Sequence, residues 1–246
     1  MNLQRLLSYT RKAIDQYNMI QENDKIAIGI SGGKDSLALL YALKGLQRFY
    51  PKKFELIAIT VDLGFEGFDL SAVSELCKEL DVPYYILQTD IGKVVFEERK
   101  EKSPCSLCAK MRKGALNEKA KELGCNKIAL GHHKEDIIET MLLALLYEGR
   151  FYSFSPVTFL DRMELYSIRP LMFVPEKDIL SFKKTYNLPV AKNFCPANGF
   201  TKREYAKNLL KQLNKENPNA SDRLFRAILD SDIKGYSIKN SFNENI

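Results

Sequence analysis

The chain has 246 residues, 45% of them apolar and 28% charged. It can bury a full core, its composition is that of a soluble protein without long low-complexity tracts, and no run approaches a membrane span. Lys and Arg number 37 against 31 Asp and Glu, a formal charge of +6 that mildly favours a polyanionic partner. Its start, MNLQRLLSYTRKAI, lacks a signal-peptide core, so a cytoplasmic protein without membrane association is expected. Five cysteines, an odd number, then argue for metal or thiol chemistry rather than a disulfide scaffold.

Residues 1–20 read as an amphipathic lead-in helix, with Leu3, Leu6, Leu7, Ile14 and Met19 inward and Arg5, Arg11 and Lys12 outward. The core is expected over 21–175. Its first strand covers 25–30 and its first helix 36–49; a second strand ends at Asp62, and a helix over 70–80 follows. A third strand ends at Asp90, a helix runs from Cys105 to about 123, a fourth strand covers 126–133, and a helix follows over 134–146. This βαβαβαβ rhythm predicts an α/β fold with a doubly wound, mostly parallel sheet. Residues 149–170 read as less regular, with ELYSIRPL a short last strand ending at Arg169-Pro170. The segment 176–246 is expected to be helical, over 176–186, 202–213 and 221–230, around a cysteine-bearing loop at 193–198.

The stretch KIAIGISGGKDS organises the rest. A buried strand breaks into Ser31, Gly32 and Gly33, carries Lys34 and Asp35, and closes on Ser36 at a helix start. Such a turn aims backbone amides at an anion, glycines let it approach, and the hydroxyls and lysine add donors and charge. The predicted ligand is a phosphate or pyrophosphate. The spacing is not the kinase-type phosphate loop, where a glycine stands four residues before Gly-Lys-Ser/Thr, nor the dinucleotide fingerprint.

Cys105 and Cys108 form a CxxC pair at a helix start, and Cys195 lies in a distant loop. Two close thiols and one remote can hold an iron–sulfur cluster or zinc, or be incidental; the pattern leaves all three open. Cys77 and Cys125 read as core residues. The two histidines, His132 and His133, are adjacent at a strand end, so their rings face opposite ways. With Asp136 they read as the rim of a nucleotide site, Asp136 able to bind Mg²⁺ or merely favoured in a first turn. Asp62 is a ligand contact or a strand-end cap, and Arg169 a phosphate neutraliser or an anchor for the last strand. Phe151, Tyr152 and Phe154 suit RNA stacking or core packing equally.

SGGKDS resembles the loop of the N-type ATP pyrophosphatases, the PP-loop superfamily. CSLCAKMRKGAL, LGHHKEDIIET, IRPL and Cys195-Pro196 together resemble the TtcA-like tRNA 2-thiocytidine synthetases within it, over about residues 20–210. The resemblance implies an adenine nucleotide alpha hydrolase-like fold and an enzyme that uses ATP, Mg²⁺ and a [4Fe-4S] cluster. It would replace the C2 oxygen of cytidine 32 in a tRNA anticodon loop with sulfur. It implies Cys105, Cys108 and Cys195 as cluster ligands and as catalytic residues with Lys34 and Asp35. Ser31 to Ser36 would hold the phosphates, with Asp62, His132, His133, Asp136 and Arg169 on the nucleotide side. Implied partners are tRNA and a sulfur donor, sulfide or a cysteine desulfurase system; a homodimer is one admissible assembly. Two enzymatic alternatives stand beside it, a 2-thiouridine synthetase and a zinc-containing adenylating enzyme that transfers no sulfur. A noncatalytic nucleotide- or RNA-binding module is a third.

Overall fold

The computed structural model describes residues 1–99, 104–192, 194–196 and 202–236. Positions 193, 197 and 198 of the expected cysteine loop lie outside the described residues.

Helix α1 (Leu3–Gln16) is capped by Asn2, whose side chain accepts the Arg5 amide at 3.0 Å. There follow β1 (Asp24–Gly29), α2 (Lys34–Gln47), β2 (Phe54–Asp62), α3 (Ser71–Glu79) and β3 (Tyr84–Gln88). A helical turn, α4 (Ile91–Lys93), continues into a π-turn at Val94–Glu98, and then come α5 (Pro104–Glu122), β4 (Lys127–Ala129) and α6 (Lys134–Glu148). A hairpin of β5 (Val157–Leu160) and β6 (Leu165–Ile168) precedes α7 (Glu176–Thr185), α8 (Lys202–Glu216) and α9 (Ala220–Leu229).

The sheet order is β3-β2-β1-β4-β6-β5. Every pairing is parallel except β5 with β6. The expected mostly parallel sheet is therefore present, with one antiparallel edge strand that the sequence reading placed in an irregular region. Period-two alternation sorts the side chains of the central strands between two cores. Ile26, Ile28, Leu56 and Ala58 enter the larger one, while Ala27, Ile57, Ile59 and Val61 enter the smaller. The larger core holds α1, α2, α3, α6, α7 and the closing helices; the smaller is covered chiefly by α5 with the π-turn.

Helix α2 is buried nearly all round, with Leu37, Ala38, Leu39, Leu40, Ala42, Leu43 and Leu46 all at 0% exposure. A helix apolar on every side belongs in the interior, and α2 sits against both α1 and α7. Strand order reverses at β1, with β2 on one side and β4 on the other. In open α/β sheets, that switch point at the carboxyl ends of the strands is where ligands bind. Among the described residues no helix is long and apolar enough to cross a membrane.

Candidate functional site

Two loops flank the switch point. The first leaves β1 through Ser31, Gly32 and Gly33, and α2 begins at Lys34, two residues earlier than the sequence suggested. Its shape is fixed internally. The Ser31 amide donates to Ser36 Oγ at 3.1 Å, the Gly33 amide to Ser31 Oγ at 3.3 Å, and Ser36 Oγ to the Gly33 carbonyl at 2.9 Å. Gly32 has φ +74°, a left-handed conformation that a side chain disfavours, and a Cβ there would stand 2.8 Å from the Ala191 Cβ. The Ala191 amide donates to the Gly32 carbonyl at 3.0 Å, so the chain after α7 is tied directly to this loop.

The second loop, after β4, comes close because Gly131 has no side chain: a Cβ there would lie 3.0 Å from backbone atoms of Asp35 and Ser36. The histidine rings do diverge. His133 is buried, with Nε2 3.8 Å from Asp35 and 3.6 Å from Asp136, and Nδ1 3.2 Å from Glu135. Burial opposes its charge, but Glu135, Asp136 and Asp35 outweigh burial and raise its pKa above the ordinary value. His132 stacks on Phe154 at 4.5 Å between centroids, and its Nδ1 is sealed without a hydrogen-bond partner. Burial, reinforced by Arg169, lowers its pKa to about 3, so it is neutral at neutral pH.

Lys34 Nζ lies 2.9 Å from Asp35 and 3.2 Å from Glu176. Burial disfavours its charge, yet those carboxylates more than compensate and its pKa is raised. Glu176 in turn pairs with Lys207 at 2.8 Å. Asp136 accepts the His133 amide at 2.9 Å and pairs with Arg203 at 2.6 Å. Burial would raise the Asp136 pKa, but His133 and Arg203 hold it below the ordinary value. Glu139, buried beside Asp136 and 3.5 Å from Arg203, is pushed by burial and then by Asp136 to a pKa of about 7. Glu135, Glu139, Glu176, Arg203 and Lys207 are site residues whose pairing the sequence reading missed. Glu135 and Glu139 stand out in sequence as acidic neighbours of the two histidines, and Arg203 and Lys207 as part of a basic helix, but nothing local joins the two groups.

Asp62 ends β2, accepts the Gly64 amide at 2.9 Å, and lines a cleft of about 340 Å³ with Phe68, Leu70, Ser71, Ile86 and Gln88. Arg169 is buried and donates to the Ser155 carbonyl at 2.5 Å and to Thr158 at 3.3 Å, holding the start of β5. Burial lowers its pKa to about 10.

The cysteines fall into two groups. Cys77 and Cys125 are buried in the two separate cores, and burial pushes each thiol to a pKa of about 11. Cys105 is exposed in the first turn of α5, Cys108 is buried one turn on, and Cys195 is half-buried. The Cys108 pKa is raised by burial, lowered by Arg112, and raised further by both Cys195 and Cys105. The remote thiol is therefore within electrostatic reach of Cys108. Cys195 stands four residues after Ala191, which bounds its distance from the phosphate loop to roughly 14 Å of chain. Phe194 beside it sits over Gly67 in the loop after β2, 3.4 Å from where a Cβ would stand. Among the described residues no group of three or more His, Cys, Asp or Glu side chains is closed to metal-ligand geometry.

The profile of a family described as the PP-loop domain matches residues 6–217. The tRNA-cytidine(32) 2-sulfurtransferase of Geobacter sulfurreducens is 38% identical over 220 residues, 88% of this chain and 86% of that protein. That of Alcanivorax borkumensis is 38% identical over 221 residues, 89% of this chain and 78% of its own. Among solved structures, the U34-tRNA thiolase NcsA from Methanococcus maripaludis with its [4Fe-4S] cluster superposes with a TM-score of 0.73. Its identity is 25%, covering 90% of this chain and 76% of that one.

Proposed function

Since the chain belongs to the PP-loop family and, within it, to the tRNA 2-thiocytidine synthetases, we propose that it converts cytidine 32 of a tRNA anticodon loop to 2-thiocytidine at the expense of ATP. The observation that carries this reading is the bond from the Ala191 amide to the Gly32 carbonyl, which ties the segment bearing Cys195 to the phosphate loop.

The chemistry has two halves. A pyrimidine carbonyl oxygen is a poor leaving group. Transfer of the α-phosphoryl group of ATP to the cytosine O2 turns it into AMP, and pyrophosphate departs. A hydrosulfide sulfur then bonds to C2 as the C2–O bond breaks, and AMP leaves with the former oxygen. Neither half is a net oxidation. Amides of Gly32 and Gly33, the Ser31 and Ser36 hydroxyls and Lys34 would bind the phosphates and stabilise charge on the departing pyrophosphate. The cleft at Asp62 has the size for a nucleoside. Asp35 and Asp136, both ordered by His133, suit a Mg²⁺ that would neutralise phosphate charge. His132, neutral and stacked on Phe154, would shape the wall behind the second loop rather than touch the phosphates.

The chemistry of the donors suits an iron–sulfur group: Cys105 and Cys108 are soft thiols one turn apart on α5, Cys195 is a third whose charge is felt at Cys108, and Arg112 offsets charge there. Cys105, Cys108 and Cys195 would hold a [4Fe-4S] cluster, which when bound supplies an iron site able to keep a sulfur atom beside the activated base. The segment 176–246 then completes the site, through Glu176, Cys195, Arg203 and Lys207. The sulfur comes from sulfide or a cysteine desulfurase system.

The decisive assay is mass spectrometry of nucleosides from tRNA treated with anaerobically purified protein, ATP, Mg²⁺ and sulfide. It should show 2-thiocytidine at position 32, lost with Lys34→Ala and with Cys195→Ser. A thiolated uridine, or no thiolated nucleoside, refutes the assignment.

A further inference from the structure

The loop between α6 and β5 has an inner and an outer half. In the inner half, the buried Ser153 hydroxyl donates to the Ile137 carbonyl at 2.9 Å, and Phe154 lies between His132 and the Arg169 guanidinium, 4.7 Å from its ring. This half is part of the candidate site. The outer half points to solvent: Phe151 is 76% exposed and Tyr152 41%. Two further exposed rings stand on the helices packed together beside this loop, α6 and α8. Tyr147, in the last turn of α6, is 49% exposed, and Tyr205, in the first turn of α8, is 54% exposed. Large aromatics in soluble proteins are mostly well covered, and a group of exposed rings marks an interaction surface.

Cations accompany these rings. Arg150 lies 4.4 Å from the Tyr152 ring centre while also pairing with Glu148 at 2.6 Å. Lys202 lies 4.3 Å from the Tyr147 ring centre. Tyr205 follows Lys202 by three residues and so shares its side of α8, a helix that also carries Arg203, Lys207 and Lys211. The hot centre of a protein–protein interface is depleted of charge and ringed by it; here the cations sit on the rings themselves. Aromatic faces interleaved with Arg and Lys match single-stranded RNA, whose bases stack on rings while its phosphates meet the cations.

We propose that Tyr147, Phe151, Tyr152 and Tyr205, with Arg150 and Lys202, form a stacking platform for unpaired anticodon-loop nucleotides flanking the reactive base. The inference rests on the reading of the chain as a tRNA thiolase and adds where the RNA lies. Bases held on the outer half of the loop place their neighbour beside Phe154 and His132 on the inner half, a few residues along the same strand of chain. The single-stranded loop of a tRNA offers such bases with little unstacking to overcome.

The test is fluorescence anisotropy of a labelled anticodon stem–loop with the cluster-loaded protein, alongside single-turnover thiolation. Phe151→Ala and Tyr205→Ala should each weaken RNA binding about 5- to 100-fold, the range for losing one base stack, and the double variant more. ATP affinity and melting temperature should be unchanged. Tyr85→Ala is the control: that ring is 39% exposed and near Lys119, but lies on β3 at the opposite edge of the sheet, and its loss should leave RNA affinity intact. Wild-type affinity in the Phe151/Tyr205 double variant overturns the platform, as does unchanged RNA binding with altered self-association in sedimentation, which would make the surface a protein interface. If the wild-type protein thiolates the RNA and only the variants behave unexpectedly, the platform alone falls. If the wild type neither binds nor thiolates it, the thiolase reading falls as well.

Discussion

Replacing Gly32 with alanine tests whether the phosphate loop and the segment leading to Cys195 form one unit. Two costs are separable. Holding a residue with a Cβ at φ +74° costs about 1–2 kcal/mol. The new methyl would also stand 2.8 Å from the Ala191 Cβ, closer than carbon atoms tolerate, and overpacking of this kind costs about 1–3 kcal/mol. Gly32→Ala should thus lose about 2–5 kcal/mol in urea unfolding, a large share of a typical domain's stability. Ala191→Gly alone should cost under about 1 kcal/mol, through added freedom of the unfolded chain. The double variant removes the clash but not the backbone strain, so it should recover about 1–3 kcal/mol relative to the sum of the singles. ATP affinity should follow the same order, lowest in Gly32→Ala and partly restored in the pair. Strict additivity would refute the contact. A Gly32→Ala protein as stable as wild type would refute both terms.

Glu139 gives a pH test. Its folded-state pKa of about 7 lies above the unfolded 4.5, so its contribution is full below about pH 4.5 and is lost as pH rises towards 7. Glu139→Gln should remove a loss of at most about 3 kcal/mol across that window. The neutral burial of His132 makes stability rise with pH over part of the same range, so the readout is wild type minus variant; a pH-independent difference would contradict the shift. Glu176→Gln frees Lys34 from one of its two carboxylates. Calorimetric ATP affinity should rise several-fold while the melting temperature falls, because Lys207 loses its partner; weaker ATP binding would mean that Glu176 positions Lys34 rather than competing for it.

The parts of the site written in contiguous residues were legible. A run of β-branched residues, two glycines and a helix start define the phosphate loop locally. The opposed faces of His132 and His133 follow from backbone geometry alone. Pairings between distant segments were not legible: nothing in local sequence states that Glu176 meets Lys34, or that Arg203 meets Asp136. β5 escaped for another reason. Its residues VTFL are only half-buried and end in a turn at 161–164 in which Glu164 takes φ +53°, so neither a clean alternation nor a glycine announces the hairpin. β4 is three residues long, and its neighbours reach the site as loop rather than strand. The π-turn at 94–98 has no marker in local composition.

Helix α2, enclosed on every side, and helix α5, the main cover of the smaller core, differ in how they can open. Hydrogen exchange at the centre of α2 requires the larger core to come apart, whereas the first turns of α5 can fray alone. On the proposed assignment, ATP is anchored to the first and two of the three thiols ride on the second. Loss of the metal group would then free the first turns of α5 and leave the phosphate loop, seated on the larger core, folded.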